Sequence, residues 1–226
     1  MGVTFEGGCW SNWYPCWRDA CSQQATTLHA VSVVNAPPTE EPLTLDEAKL
    51  RANLTWTAGD PRDALMTSFI RAARGKVESD TGVSLLLQTR IVYLDWMPNV
   101  LTLPAGSMPL QDIVGIDAIN NLGQTMTINP ATYIVDYASG RIALNTPTSS
   151  WPSNLRTFQP WAITLDAGWP DPETLATAAP LLLQAVGLLV AHYATLGRDL
   201  ASINVATEIP QGYCDILAPY MPITVV

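Results

Sequence analysis

The sequence predicts an α+β protein, and three observations carry that prediction. Between Thr44 and Thr81, capping and apolar-stripe signals mark two helices. From Gln88 to Ala167, short β-branched and aromatic runs alternate with turn residues and prolines. From Leu175 to Leu196 the chain reads LATAAPLLLQAVGLLVAHYATL, a helix with almost no polar side. A helix with one solvated face shows a polar residue every three or four positions. After Pro180 only Gln184, His192 and Thr195 are clearly polar here. Such a helix must be covered all round, either inside one domain or partly by neighbouring subunits.

The chain has 226 residues, enough for one substantial core or a core and an appendage. Charged residues make up only 14% and hydrophobic ones 48%, which points to extensive burial. The net charge is −9, from 11 basic and 20 acidic residues. That balance argues against a nucleic-acid-binding domain, which would carry a basic stripe. Leu43–Thr81 is neutral, with six basic and six acidic residues, so the acid excess lies elsewhere.

The elements follow in order. Residues 1–41 read as an N-terminal extension with neither helical nor strand periodicity, closed by the linker Asn35-Ala36-Pro37-Pro38. No basic segment followed by an apolar run is seen there, so no secretory signal is expected, and reduced thiols are the default. Cys9, Cys16, Cys21 and His29 are a weak zinc candidate: their spacing lacks a close CxxC pair. Trp10, Trp13 and Trp17 are the aromatic anchors expected of a subunit interface.

Residues 42–86 read as a helical hairpin. Thr44 and Glu47 form a capping box, Glu47 and Arg51 an i,i+4 pair, and the first helix should end near Asn53. Asp60 then caps a second helix with Pro61 in its first position. Leu65, Met66, Phe69, Ile70, Ala73 and Val77 supply its apolar stripe; Arg71, Arg74 and Glu78 fall on the solvated side. Thr81-Gly82 stops it.

Residues 87–170 form the β region, with runs at Gln88–Trp96, Val100–Leu103, Ile113–Ile119, Gln124–Ile128, Tyr133–Tyr137, Arg141–Leu144 and Trp161–Ala167. In the first of these, Thr89, Ile91 and Tyr93 share a face. Asn120–Gly123 and Ala138-Ser139-Gly140 are turn signals, and six or so short strands predict an antiparallel sheet or sandwich.

Residues 171–200 hold the apolar helix, with Thr177 as its N-cap, Pro180 in the first turn and Gly197 just past the end. It is shorter than the roughly 20 unbroken apolar residues of a membrane span and lacks basic flanks, so no membrane role is expected. Residues 201–226 form a C-terminal arm ending in the apolar Ile223-Thr224-Val225-Val226, suited to lie against a partner, including as an added strand.

Signs of catalysis are thin. No GxSxG, P-loop or HExxH motif occurs. His192 sits in the apolar helix, where a hydrogen-bonded core histidine is the simpler reading. The pairs Asp60/Asp63 and Asp171/Glu173 stand at helix starts, where the backbone dipole accounts for them. We expect no enzyme activity and no cofactor. Eight tryptophans leave one other class open: a carbohydrate- or surface-binding β module of a tail structure.

The runs LTLDEAKLRANL and DALMTSFIRAARGKVESDTGVSLL, with LLVAHYATL (Leu188–Leu196) and IPQGYCDILAPY (Ile209–Tyr220), resemble the head–tail connector (adaptor) proteins of long-tailed bacteriophages and gene transfer agents. The resemblance covers Leu43 to Tyr220 and rests on the order and spacing of these pieces. It implies a helical bundle with an inserted small antiparallel β domain and extended N- and C-terminal arms. It also implies a structural virion protein at the head–tail interface, assembled in the bacterial host cytoplasm. The expected partners are sibling subunits in a closed ring of about twelve, the portal protein, and a stopper or other tail-proximal connector. DNA would pass through the lumen without specific binding, repelled by lumenal acids. Ile209, Tyr213, Leu217, Tyr220, Ile223 and Val225 are the residues expected at the portal.

Overall fold

Helix α1, Leu45–Arg51, begins where the capping box puts it. The Thr44 amide donates to Glu47 Oε2 at 2.8 Å, and the Glu47 amide donates back to Thr44 Oγ1 at 3.3 Å. The Thr44 amide and hydroxyl, both donating to Glu47 Oε2, hold the Glu47 carboxyl below its ordinary range. The expected Glu47–Arg51 pairing is weak, because Arg51 reaches across to another helix and donates to Gln184 Oε1 at 2.9 Å. The computed structural model describes residues 30–146, 150–196 and 211–220.

Helix α2, Arg62–Thr81, starts one residue later than expected, with Pro61 at the cap position and Asp60 accepting from the Arg62 amide at 2.9 Å. Gly82, at φ 67°, ends it in the left-handed conformation that glycine adopts without steric cost. Met66, Ile70, Ala73 and Val77 are buried, as the stripe predicts. Leu65 is not; it is 51% exposed. Arg74 and Glu78, expected in solvent, are drawn inward instead, for reasons given below.

The apolar stretch is not one helix. Asp171 caps α3 (Pro172–Ala178), accepting from the Thr174 amide at 2.7 Å, and Ala179 breaks the chain. Helix α4 (Pro180–Leu196) then leaves at 113°. Proline explains the break: it has no N–H to give, and its ring would clash with the carbonyl four residues back. Thr177, expected as the N-cap, therefore lies inside α3 with its hydroxyl on the Glu173 carbonyl. Among the described residues no single helix is long and apolar enough to cross a membrane.

Helix α4 is the axis of the helical core. Leu182, Ala185, Val186, Leu189 and Val190 are buried against α1, α2 and the C-terminal helix α5 (Gln211–Leu217). The cover is incomplete, since Leu181, Gln184 and Thr195 remain exposed.

Eight strands make up the rest, and every pairing between them is antiparallel. They are β1 (Ala30–Ala36), β2 (Gln88–Leu94), β3 (Val100–Thr102), β4 (Leu110–Ile119), β5 (Thr125–Thr127), β6 (Tyr133–Asp136), β7 (Arg141–Leu144) and β8 (Trp161–Ala167). One sheet runs β1-β2-β8-β4-β5 and the other β3-β7-β6. Val92, Leu94, Leu101, Ile116, Ile142 and Ile163 fill the space between them as a second core. The fold is thus α+β with two antiparallel sheets, as predicted.

Strand β1 was not expected. Ala30, Ser32 and Val34 alternate with Val31 and Val33 in a strand pattern, but the run is short, and the strand takes in Asn35 and Ala36, which were expected to open the linker. Its register sets the faces of the large sheet. Val31, Tyr93, Ala162 and Asp117 form one outward row across four strands. Val33, Ile91 and Thr164 lie in the next, and Thr89, Asp166 and Asp112 in a third. The face shared by Thr89, Ile91 and Tyr93 therefore points away from the sandwich core.

Sandwich and bundle meet where α2 passes into β2 and β8 passes into α3. The Leu87 amide donates to the Trp169 carbonyl at 2.7 Å, the Ser84 amide to the Met108 carbonyl at 2.8 Å, and the Gly168 amide to the Pro109 carbonyl at 2.9 Å.

Candidate assembly surfaces

The expected portal residues divide three ways. Tyr213 and Leu217 are 1% and 0% exposed, packed into the chain's own helical core. A seven-residue helix with apolar side chains at i and i+4 buries that side, so in this arrangement neither can face a partner. Tyr220, in the short turn Ala218–Tyr220, is half-buried at the margin of the same core. Ile209, Ile223 and Val225 lie outside the described residues.

Tyr213 also anchors α5 by a polar bond. Its hydroxyl donates to Asp80 Oδ2 at 2.7 Å, and Lys76 Nζ holds the other Asp80 oxygen at 2.6 Å. Burial and the neighbouring carboxylate push the Tyr213 phenol far up from its usual range, so it stays a donor. Tyr213→Phe leaves a part-buried Asp80 oxygen without this donor. We expect it to cost about 1.5 kcal/mol, read as a lower urea midpoint with an unchanged slope. Cys214, on the same helix, is disulfide-bonded rather than the reduced thiol expected.

A second cluster lies where α2 meets the crossover to β2. Arg74 Nε sits 2.9 Å from Glu41 Oε2, and its Nη1 3.3 Å from Glu78 Oε2. Glu78 Oε1 also accepts from the Leu85 amide at 2.9 Å and Gln88 Nε2 at 3.3 Å. All three charged side chains are at most 21% exposed. Burial raises the Glu78 carboxyl above its ordinary range despite the opposing pull of the Leu85 amide and Arg74. Glu78 thus ties the end of α2 to the start of β2 and fixes the angle between the two modules.

The remaining candidates are accounted for locally. Asp63 accepts from Trp56 Nε1 at 2.7 Å and the Gly59 amide at 2.8 Å, and pairs with Lys49 at 2.8 Å. Asp60 pairs with Arg62, and Asp171 caps α3. His192 is half-buried with its ring 6.1 Å from that of Tyr193. Cys9, Cys16, Cys21, His29, Trp10, Trp13 and Trp17 lie outside the described residues. Among those described, no three His, Cys, Asp or Glu side chains converge to hold a metal ion. Of the described tryptophans only Trp96 is exposed, and the grooves at Ala36–Thr89 and Asp171–Ala178 are shallow.

An eight-stranded sandwich set beside a five-helix core, joined through paired crossovers, is the architecture defined by the described residues. Solved chains share it. A chain from the neck of an empty gene transfer agent (GTA) particle, computed with C6 symmetry, is 21% identical, with a TM-score of 0.62 over 87% of this chain and 97% of its own. One from the virion of a native GTA particle is 21% identical, with a TM-score of 0.65 over 88% and 98%. A third, from the neck of a native GTA particle computed with C12 symmetry, is 22% identical, with a TM-score of 0.62 over 86% and 97%. This likeness establishes a common fold. No family model and no curated protein matches the sequence.

Proposed function

We propose that this chain is a structural virion protein: a head–tail adaptor that forms a ring beneath the portal, joins the DNA-filled head to the tail and passes DNA through its lumen. One observation carries the reading. The fold is shared, over nearly the whole of both chains, with chains of GTA necks, including one computed with C12 symmetry. The ordered motifs from Leu43 to Tyr220 support the same reading from sequence. In it the chain has no catalytic role, and its partners are its own copies, the portal and a tail-proximal connector such as a stopper. The portal contact falls to the arm beyond the buried Leu217: Tyr220, Ile223 and Val225.

Electron microscopy of the purified protein, alone and mixed with portal, tests the proposal. Rings, free or seated on the portal, are expected. A chain that stays a single copy with portal present overturns it. Deleting Ala218–Val226 keeps Tyr213 and Leu217 in place, so the truncated chain should fold with a loss of about 1 kcal/mol or less. It should fail to join the portal, and infectious or transfer-competent particles assembled from it would count against the docking arm.

A further inference from the structure

The outer face of the five-stranded sheet is apolar along one side and open there. On an antiparallel sheet with one solvated side, the outward residues are expected to be polar. Here Val31 and Val33 are 47% and 46% exposed, beside half-buried Ile91 and Tyr93, and none of the four belongs to either core. Strand β1 also ends the strand order, so among the described residues its outer edge has no partner strand. An apolar edge of seven residues left in that state is a template for another length of chain.

Chain direction and one covalent bond name that length of chain. Ala30 is paired with Leu94, and Leu94 with Trp161, at the end of the sheet away from the helices. The helical end is the other one, where Gln88 is paired with Ala167 and the Leu87 amide bonds the Trp169 carbonyl. The residues before Ala30 therefore join the sheet about 20 Å from its helical end, the length of β2. Cys214 is disulfide-bonded, and it stands on α5 among the helices, next to the Tyr213 that bonds Asp80 near the end of α2. The chain's other cysteines are Cys9, Cys16 and Cys21, all before Ala30. Within one chain, whichever of them holds Cys214 brings the extension back along the sheet toward the helices. Even the shortest span has the reach, since the chain from Cys21 to Ala30 extends to about 30 Å.

Residues 1–29 suit the face they would cross. They hold Phe5, Trp10, Trp13, Tyr14 and Trp17, and their only charged side chains are Glu6, Arg18 and Asp19. Tryptophans carry large apolar area and pack well on aliphatic and aromatic neighbours.

We infer that residues 1–29 form a strap that runs back from Ala30 over the valine side of the sheet and is fastened to Cys214 through Cys9. Trp10, Trp13 and Trp17 then cover Val31, Val33, Ile91 and Tyr93. Cys9 is the fastening point because it alone leaves all three tryptophans between the bond and the sheet; Cys21 would place them beyond the bond. Closing the bond forms one S–S link and releases two thiol protons and two electrons, which a small-molecule disulfide takes up, leaving as two thiols. The strap is internal to one copy and does not depend on the ring reading.

The full-length chain, purified without reductant, tests it. Mass spectrometry of unreduced proteolytic peptides should find Cys9 joined to Cys214, and a non-reducing gel should show single copies. Hydroxyl-radical footprinting reads the cover. In Trp10→Ala/Trp13→Ala/Trp17→Ala, Tyr93 should be oxidised at least about threefold faster than in the parent, with buried Tyr213 unchanged as the control for folding. In the parent, a reading that needs no variant, the three tryptophans should be oxidised at least about threefold more slowly than exposed Trp96. A free Cys214 thiol, a bond through Cys16 or Cys21, or a link between copies overturns the inference. So does a Tyr93 rate that ignores the tryptophan variant, or three tryptophans as reactive as Trp96. The adaptor reading stands whichever way these results fall.

Discussion

Gly168→Ala is expected to destabilise the protein by about 4 kcal/mol, enough to remove most of the folded chain at 37 °C. Gly168 has φ 110°, a region open to glycine and costly for any residue with a Cβ. Space compounds the cost. An alanine methyl would run into the Leu86 carbonyl and come within 2.8 Å of the Leu87 amide nitrogen. These are backbone atoms, and the same Leu87 amide is bonded to the Trp169 carbonyl, so they cannot step aside without opening the crossover between sandwich and bundle. The Gly168 carbonyl also accepts from Gln111 Nε2 at 2.9 Å. Denaturant unfolding would measure the loss. A variant as stable as the parent would show that the crossover yields more readily than its hydrogen bonds imply.

Arg74→Ala should cost about 3 kcal/mol, because it takes the guanidinium away from the little-exposed Glu78 and leaves Glu41 only the exposed Arg71, 3.4 Å away. The loss should depend on pH. Burial holds the Glu78 carboxyl of the folded chain above its ordinary value of 4.5, so the folded chain binds that proton more tightly than the unfolded one. The stability tied to Glu78 is therefore fully present below 4.5 and falls as pH rises through the raised folded value. Without Arg74 one of the influences lowering that value is gone, so the value rises further and the fall steepens. The difference between variant and parent should be largest near pH 8 and shrink toward pH 4.5. A difference that is flat across this range would mean Glu78 does not sense Arg74.

Local elements were legible because local chemistry decides them. The Thr44–Glu47 box, the Gly82 stop and the Asn120 turn depend on residues within a few positions of each other, and strands β7 and β8 show in their own runs of apolar and β-branched residues. Periodicity could not show that Arg74 and Glu78 turn inward. They lie off the apolar stripe of α2, and only the crossover to β2 and the approach of Glu41 bring buried partners to them. The split at Ala179 was also missed: a proline in an apolar run reads equally as a first-turn residue or a break. The buried Tyr213 was read as a surface residue because an apolar tail near a chain end offers the same pattern whether it folds back or reaches out.

By itself the sequence determined the class of fold, the order of helices and strands from Leu45 to Ala167, and the scarcity of charge, since these follow from residue types and their spacing along the chain. The tertiary structure decided which apolar faces are satisfied. Helix α4 is wrapped mainly by its own chain, with Tyr213 and Leu217 folded back on it, while the valine edge of the large sheet and the open side of α2 are left uncovered by the described residues. Burial is a property of pairs of surfaces, and a linear pattern specifies only one member of each pair.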